Sequence, residues 1–389
     1  MKILYYFLLK RKFLSLILSV ILLGSALQIH PHAATFTDNI NAKSAILIEA
    51  GSGTVLFEQD ADKALAPASV TKIMTLLLVM EAVDEGKIKL SDNVTVSSYA
   101  SSMGGSQIFL KEGEVMTVED LIKSVVVASA NDAAVALAEY ICGSEASFVN
   151  LMNERAAQLK MNNTHFENTN GLDDSVTNHL TSSRDIAIMS QELLKHEKIL
   201  DYTSIWQDSI RDGAFVLSNT NRLIRFYEGA NGLKTGSTSK ALFCISATAK
   251  RDNMQLICVI MGSPTRDIRN AEAKKLLDFG FANFSVFQYK SEALGRIGVV
   301  GSDIDSIGIK SSDFSKLLDK SEKNKVKIEY QYPDVLNAPI SENQQIGKVI
   351  FKIDDQIIGE SDIVSTEKCE KISFSTLFYR ILLTFTSGF

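Results

Sequence analysis

The fold is decided by the stretch Ala66-Pro67-Ala68-Ser69-Val70-Thr71-Lys72-Ile73-Met74-Thr75. A proline followed by small residues is typical of the first turn of a helix, and the apolar residues that come next continue it. Ser69 and Lys72 are three residues apart, so their side chains lie on one face of that helix. A serine becomes a nucleophile when a base adjoins it, and a lysine with a lowered pKa can be that base. On its own, the pattern also fits a helix-capping serine beside a solvated lysine.

Two later motifs change the weight of this pattern. Ser129-Ala130-Asn131 falls at a predicted junction between two helices, where short polar side chains either project from the turn or cap the second helix. Lys234-Thr235-Gly236 precedes two predicted strands, 242–249 and 256–261. Each motif is weak alone, but their order and their contexts (helix start, helix junction, strand edge) together indicate nucleophilic catalysis.

The segments around the motifs predict an α+β domain. Residues 44–58 indicate a β-hairpin around a glycine-rich turn, and residues 215–226 are expected to be extended. Helices are predicted to begin near Ser69, Thr117, Ala133, Ser147, Ser182 and Arg269. A hairpin at the start, helices between and strands near the end are typical of an antiparallel sheet that joins both ends of the domain.

The last third of the sequence has a different character. Short β-rich runs at 297–300, 326–330, 348–353 and 357–361 predict a small β domain that serves as a spacer or contact module. The terminal segment carries a polar stripe at helical spacing, formed by Ser373, Thr376, Arg380, Thr384 and Ser387. Its other faces are apolar, which favours a helix lying in a membrane interface or, alternatively, one docked on its own domain.

The first 34 residues predict an export signal. A basic start is followed by the apolar run 13–27 and by His32-Ala33-Ala34, whose small residues suit cleavage. The alternative is an uncleaved anchor, but the run is shorter than the roughly 20 residues of a spanning helix. Removing the segment takes away four positive charges and no negative one, which changes the formal charge from −6 to −10. Such an acidic body without a basic stripe does not suggest nucleic-acid binding.

The cysteines do not indicate a metal or redox site. Four are present, and none forms a C-x-x-C pair. Cys244 and Cys258 lie in consecutive apolar runs, so either two buried free thiols or a disulfide fits the sequence. We therefore expect neither a metal nor another cofactor.

The motifs and their surroundings resemble the active-site serine penicillin-recognising enzymes. A-P-A-S-x-T-K-I-M-T, S-M-G-G-S-Q-I-F-L, S-A-N-D-A and N-G-L-K-T-G-S-T are similar to the low-molecular-mass D-alanyl-D-alanine carboxypeptidases. The resemblance implies a transpeptidase/β-lactamase-like domain at 35–285, with helices on both faces of an antiparallel sheet. It further implies an all-β domain at 286–370 and an amphipathic membrane-anchor helix at 371–389.

The same resemblance implies an activity and a location. The enzyme would remove the terminal D-alanine from peptidoglycan pentapeptide stems and would be inhibited covalently by β-lactams. It would act on the outer face of the cytoplasmic membrane, with a link to sporulation.

The family's catalytic roles carry over to three residues. Ser69 would attack the carbonyl of the penultimate D-alanine and form an acyl-enzyme. Lys72 would take the proton of Ser69, and Ser129 would help to pass a proton to the departing D-alanine. Asn131, which carries over as a binding residue, would orient the substrate or Lys72.

The binding roles carry over to the third motif and to two later residues, Ser237 and Arg269. Lys234 would keep the cleft positive, Thr235 would contact the terminal carboxylate, and Arg269 would assist it. Gly236 would let the substrate backbone lie close to the strand. The N–H groups of Ser69 and Ser237 would form the oxyanion hole.

Departures from the family and rival interpretations concern a few positions. Ala130 stands where glycine is frequent, and Ser237 where some members have histidine, so fine substrate preference is open. A class A β-lactamase needs a glutamate in an E-x-x-x-N loop, but Glu167 lacks that spacing and is expected at the surface. Transpeptidases usually carry large N-terminal domains, and a degenerate wall-binding protein would lack intact motifs. His179 is expected to be a solvated loop residue.

Overall fold

The chain between Ser44 and Ser263 folds around one antiparallel sheet. The computed structural model describes residues 35–172 and 176–386. The strands of this part are β1 (Ser44–Glu49), β2 (Val55–Gln59), β3 (Asn93–Thr95), β4 (Val115–Thr117), β5 (Gln207–Ile210), β6 (Phe215–Ser218), β7 (Ala230–Thr238), β8 (Leu242–Arg251) and β9 (Met254–Ser263). Five of them form the sheet in the order β2-β1-β9-β8-β7, so the first hairpin pairs with the later strands as predicted.

Helices cover both faces of this sheet. Side chains alternate along β1, so Ile46 and Ile48 pack into the large helical core while Leu47 faces Gly280 on the other side. This arrangement confirms the predicted α+β class. The helices are α1 (Lys72–Asp84), α2 (Ser98–Ser101), α3 (Val118–Lys123), α4 (Asn131–Cys142), α5 (Glu145–Gln158), α6 (Ser183–Leu193), α7 (Ile199–Thr203), α8 (Leu223–Phe226) and α9 (Arg266–Asn283).

Helix α1 lies in the middle of the core. The sequence predicts one apolar face, but every residue from Lys72 to Met80 is buried. A helix that is apolar on all sides must be enclosed by protein, and α1 packs against α4, α5 and α6. The lysine of the first motif therefore starts a buried helix rather than a surface one.

One predicted extended segment is wrong in its second half. Strand β6 ends at Ser218, and the short helix α8 follows. In the turn between them, the side-chain oxygen of Asn221 accepts one hydrogen bond, from the N–H of Leu223 at 3.1 Å. Asparagine favours such local turns over an extended strand.

A second, β-rich part follows α9. Its strands are β10 (Phe284–Tyr289), β11 (Ala293–Val300), β12 (Ser306–Ser311), β13 (Phe314–Asp319), β14 (Lys327–Gln331), β15 (Val335–Asn337), β16 (Gln345–Ile353) and β17 (Gln356–Ser365). A two-stranded sheet pairs β10 with β13, and a six-stranded sheet has the order β14-β16-β17-β12-β11-β15. The core of this part contains Phe351, whose ring stacks on Phe314 with centroids 4.2 Å apart. The predicted all-β character is confirmed.

Helix α10 (Phe374–Thr386) ends the described chain. Its apolar side chains stay largely exposed, with Phe374 and Phe385 each 82% accessible. Arg380 donates a hydrogen bond to the backbone oxygen of Asp303. Within 35–172 and 176–386, no helix has the length and hydropathy needed to cross a bilayer. The predicted export signal and Ser387 of the polar stripe lie outside the described residues.

Candidate active site

Ser69 lies in a 3₁₀ turn, Ala68–Thr71, directly before α1. Ala68 has φ of +49°, a left-handed conformation that costs a residue with a side chain about 1–2 kcal/mol. Thr71 and Gly171 lie against the backbone oxygen of Ala68 in this conformation. The hydroxyl of Thr71 donates to the oxygen of Ala68 at 2.9 Å, and a Cβ on Gly171 would come within 1.9 Å of that oxygen. The turn leaves Ser69 half-buried at the edge of a cleft.

Lys72 is fully buried, and its amine faces three oxygens. Its Nζ lies 3.0 Å from Ser69 Oγ, 2.6 Å from Asn131 Oδ1 and 2.8 Å from the backbone oxygen of Asn170. Burial, followed by the charge of Lys234, holds the pKa of Lys72 well below its ordinary value. A neutral amine has two N–H groups and one lone pair. Because Asn131 and Asn170 present acceptors, the lone pair is left for the hydroxyl of Ser69.

The second motif occupies the helix junction that the sequence predicts. A π-helical turn, Ser124–Ala128, ends at Ser129, which has φ of +62° and lines the cleft. Such π-turns inside helices are frequent at functional sites. Asn131 starts α4, and its amide nitrogen donates to the backbone oxygen of Gly104 at 2.7 Å. Its Oδ1 lies 2.6 Å from Nζ of Lys72, which is the contact that the predicted orientation of Lys72 would use.

Strand β7 forms one wall of the cleft and carries the third motif at the edge of the sheet. Lys234 is buried, and its Nζ donates to the backbone oxygen of Thr235 at 3.1 Å. Burial, and then the charge of Arg269, lowers the pKa of Lys234 to about 7. The hydroxyl of Thr235 donates to that of Thr220 at 2.8 Å. Ser237 is exposed at the cleft.

The structure shows why residue 236 must be glycine, which the sequence alone does not explain. A Cβ at this position would lie 2.9 Å from the backbone nitrogen of Ser69 and 2.9 Å from the oxygen of Pro67. Contacts this short with backbone atoms leave no room for any side chain. Glycine is thus required for the strand to approach the 3₁₀ turn of the nucleophile, whereas the predicted substrate contact stays a prediction.

Arg269 reaches the cleft from α9 and is 97% buried, with 3% of its surface exposed. Its guanidinium donates to the backbone oxygen of Cys244 at 3.3 Å and to the side chain of Asn270 at 2.9 Å. Burial, and then the charge of Arg266, lowers the pKa of Arg269 to about 10. It remains a cation at neutral pH, so the cleft presents a fixed positive charge.

The cleft has a volume of about 380 Å³ and contains residues that sequence reasoning missed. Arg222 and Arg266 add two exposed cations, and neither pairs with a carboxylate in the described parts of the chain. Trp206 also lines it, and its buried indole nitrogen has no hydrogen-bond partner among the described residues. No local motif marks these positions, because Trp206 precedes β5, Arg222 lies in the turn before α8 and Arg266 is the first residue of α9. A larger groove of about 710 Å³ beside Lys195 and Lys250 contains no serine, threonine or cysteine.

The prediction for His179 is wrong. Its side chain is 3% exposed, and Nε2 lies 2.7 Å from the hydroxyl of Thr71. The backbone returns through residues 176–181 into the core, where the ring packs edge-on against Phe166.

Glu167 is half-buried, and its carboxylate accepts hydrogen bonds from the N–H groups of Thr177 and Asn178. It does not line the cleft.

The structure distinguishes between a disulfide and two free thiols at Cys244 and Cys258. Cys244 and Cys258 are both buried and free, so no disulfide joins them. Burial raises the pKa of Cys244 to about 11 and raises that of Cys258 as well. Among the described residues, no three histidine, cysteine or acidic side chains group together as metal ligands.

A family model described as D-alanyl-D-alanine carboxypeptidase matches residues 30–265. The chain belongs to the D-alanyl-D-alanine carboxypeptidase family. A second model, described as penicillin-binding protein 5, C-terminal domain, matches residues 281–371. D-alanyl-D-alanine carboxypeptidase DacF of Bacillus subtilis is 44% identical over 348 residues, which are 88% of this chain and 89% of that protein.

Solved structures agree with this assignment. Penicillin binding protein 5 from Haemophilus influenzae is 32% identical, with a TM-score of 0.71 over 87% of this chain and 100% of that one. Penicillin-binding protein D2 from Listeria monocytogenes, in its ampicillin-bound form, is 31% identical, with a TM-score of 0.56 over 63% of this chain and 100% of that one. The predicted family, fold class and enzyme class are confirmed. The protein is a D-alanyl-D-alanine carboxypeptidase, and a serine mechanism is typical of its family.

Proposed function

We propose that Ser69 is the nucleophile that removes the terminal D-alanine from peptidoglycan pentapeptide stems. The observation that carries this proposal is the 3.0 Å contact between Ser69 Oγ and the buried amine of Lys72. A lysine whose pKa is lowered can accept the serine proton, which a solvated lysine cannot do at neutral pH.

The proton then has a path to the leaving group. Lys72 takes it as Ser69 attacks the carbonyl of the penultimate D-alanine, and Ser129 helps to deliver it to the departing amine. Asn131 and Asn170 keep Lys72 oriented, because its Nζ donates to Oδ1 of Asn131 and to the backbone oxygen of Asn170. Water then hydrolyses the acyl-enzyme and restores Ser69.

The substrate is held at both ends of the reacting bond. Lys234, Thr235 and Arg269 line or adjoin the same wall of the cleft and bind the terminal carboxylate of the peptide. The backbone N–H groups of Ser69 and Ser237 stabilise the oxyanion. Losing one such donor typically costs about 10²–10³ in rate.

β-Lactams are covalent inhibitors in this proposal. The Listeria relative has been solved with ampicillin bound, and in this chain Ser69, Ser129 and Thr235 line the cleft. Glu167 does not line the cleft, so it is not placed to activate water for a penicilloyl-enzyme. Penicillin should therefore stay bound to Ser69 instead of being turned over.

The enzyme is placed outside the cytoplasm in this proposal. Residues 1–34 direct export, and the helix within 371–389 attaches the enzyme to the outer face of the cytoplasmic membrane, so that residues 35–285 catalyse and 286–370 act as a spacer. The exposed apolar side chains of α10 support this attachment. A role in sporulation belongs to the same proposal.

Hydrolysis of diacetyl-Lys-D-Ala-D-Ala and of its C-terminal amide tests the reaction. A hydrogen bond to a charged group contributes roughly 1.5–3 kcal/mol, so kcat/KM should fall about ten- to a hundredfold for the amide. Release of penicillin is followed in parallel. Equal cleavage of acid and amide contradicts carboxypeptidase recognition, and rapid penicillin turnover indicates a β-lactamase.

A further inference from the structure

A chain of hydrogen bonds runs from a buried imidazole to the peptide group before the nucleophile. The backbone N–H of Glu167 donates to Nδ1 of His179 at 3.0 Å. Nε2 of His179 lies 2.7 Å from the hydroxyl of Thr71, which donates to the oxygen of Ala68 at 2.9 Å. Ala68, Thr71 and His179 are all buried, so water does not compete for these bonds.

The direction of each bond follows from the first one. Because Nδ1 of His179 accepts, a neutral ring carries its proton on Nε2. That N–H donates to the hydroxyl oxygen of Thr71. The hydroxyl of Thr71 in turn donates its hydrogen bond to the backbone oxygen of Ala68. An imidazolium would instead turn a second N–H toward the N–H of Glu167, so the chain requires a neutral His179.

The carbonyl at the end of this chain belongs to the peptide unit that carries the N–H of Ser69. In a planar trans peptide, the C=O and the N–H point in opposite directions, and the Ala68–Ser69 bond is trans. Fixing the oxygen of Ala68 at Thr71 therefore fixes the direction of the Ser69 N–H. The nitrogen of Ser69 lies beside β7, where a Cβ on Gly236 would approach it to 2.9 Å.

We propose that His179 and Thr71 are positioning residues for the oxyanion hole: they orient and polarise the Ala68–Ser69 peptide so that its N–H faces the reacting carbonyl. This inference rests on the proposed role of Ser69 as the nucleophile. A hydrogen bond accepted by the carbonyl also strengthens the N–H of the same peptide as a donor. The left-handed Ala68 and the glycine at 171 fit this role, since both allow the carbonyl to turn toward Thr71.

Thr71→Val tests the proposal against the matched variant Thr75→Val. The hydroxyl of Thr75 is also buried and also donates to a backbone oxygen, that of Thr169 at 2.6 Å, but it does not touch Ala68. The measurement is stopped-flow acylation by a fluorescent penicillin, which separates the dissociation constant of the first complex from the acylation rate. Thermal unfolding of each variant establishes that it is folded.

We expect Thr71→Val to slow acylation about ten- to a hundredfold while the dissociation constant changes by less than about twofold. Thr71→Ser, which keeps the hydroxyl, should acylate within about threefold of the wild type, as should Thr75→Val. His179→Phe keeps the ring contact with Phe166 but loses both hydrogen bonds, and should slow acylation about three- to tenfold.

Equal losses in Thr71→Val and Thr75→Val would overturn the proposal, because they would show a general effect on the loop. Wild-type acylation rates in Thr71→Val or His179→Phe would overturn it as well. If Thr71→Val does not fold, His179→Phe and Thr75→Val make the same comparison. A wild-type protein that takes no label at Ser69 would refute the proposed nucleophile instead.

Discussion

The amine of Lys72 lies 3.0 Å from the hydroxyl of Ser69, and both of its other hydrogen-bond partners are oxygen acceptors. A protonated amine satisfies all three oxygens and has no capacity to take a proton. A neutral amine satisfies the two asparagines and keeps its lone pair for Ser69. Burial and the charge of Lys234 favour that neutral form, so this geometry suits a base better than a fixed cation.

Replacement of the two buried lysines should have different consequences. Lys72→Ala removes the proton acceptor and should lower the acylation rate about 10²–10⁴-fold. Lys234→Ala removes a charge at the carboxylate end and should mainly raise KM and slow acylation about tenfold. Penicillin acylation and D-alanine release report both effects. Small and equal losses would mean that another group is the base.

The pH profile of kcat/KM should be bell-shaped. Activity rises with pH as Lys72 loses its proton, at a pH well below that of an ordinary lysine. It falls again as Lys234, with a pKa of about 7 in the free enzyme, becomes neutral and no longer attracts the carboxylate. Lys234→Arg keeps the charge and should move the falling limb to higher pH. An unchanged falling limb in that variant would assign it to another group.

The two cations missed by the sequence should steer the anionic substrate. Replacing both Arg222 and Arg266 by glutamine should lower kcat/KM about three- to tenfold, leave kcat unchanged and weaken its dependence on salt. Arg225→Gln is the control, because Arg225 has the same charge and stacks on Trp206 and Phe226 but does not itself line the cleft. A salt dependence that is the same in all variants would contradict steering.

The terminal helix should mediate membrane attachment. A chain truncated after Lys371 should remain active and stop sedimenting with phospholipid vesicles. Leu377→Asp combined with Ile381→Asp should act like the truncation without shortening the chain, since both side chains are exposed and one turn apart. Vesicle binding that persists in both proteins would place the attachment elsewhere.

The sequence predicts the fold class and the elements around the three motifs, because each of these elements has a local signature. The hairpin at 44–58, the helix after Lys72 and the strands after Gly236 follow from periodicity and glycine placement, and the structure contains all of them. The break in the helical pattern at residues 128–132 also predicts a helix junction at Ser129, where the structure has a π-turn and a left-handed residue.

What the sequence does not predict depends on contacts between distant segments. The sequence predicts that His179 is a solvated loop residue. In the structure it is buried against Thr71, which lies more than 100 positions earlier in the chain. The sequence does not show that position 236 has no room for a side chain, because the atoms in the way belong to the backbone of Ser69 and Pro67. Arg222 and Arg266 carry no motif, and only the fold brings them to the cleft. No local pattern encodes such long-range contacts.

Labelling with a fluorescent penicillin, followed by peptide mapping of the acylated residue, tests the central claim most directly. Ser69 is the serine whose hydroxyl faces the buried amine of Lys72, so the label should map to Ser69 alone. Ser69→Ala should fold, with a thermal unfolding curve close to that of the wild type, and should take no label. Label that persists in Ser69→Ala, or that maps to another residue in the wild type, would contradict the assignment of Ser69 as the nucleophile.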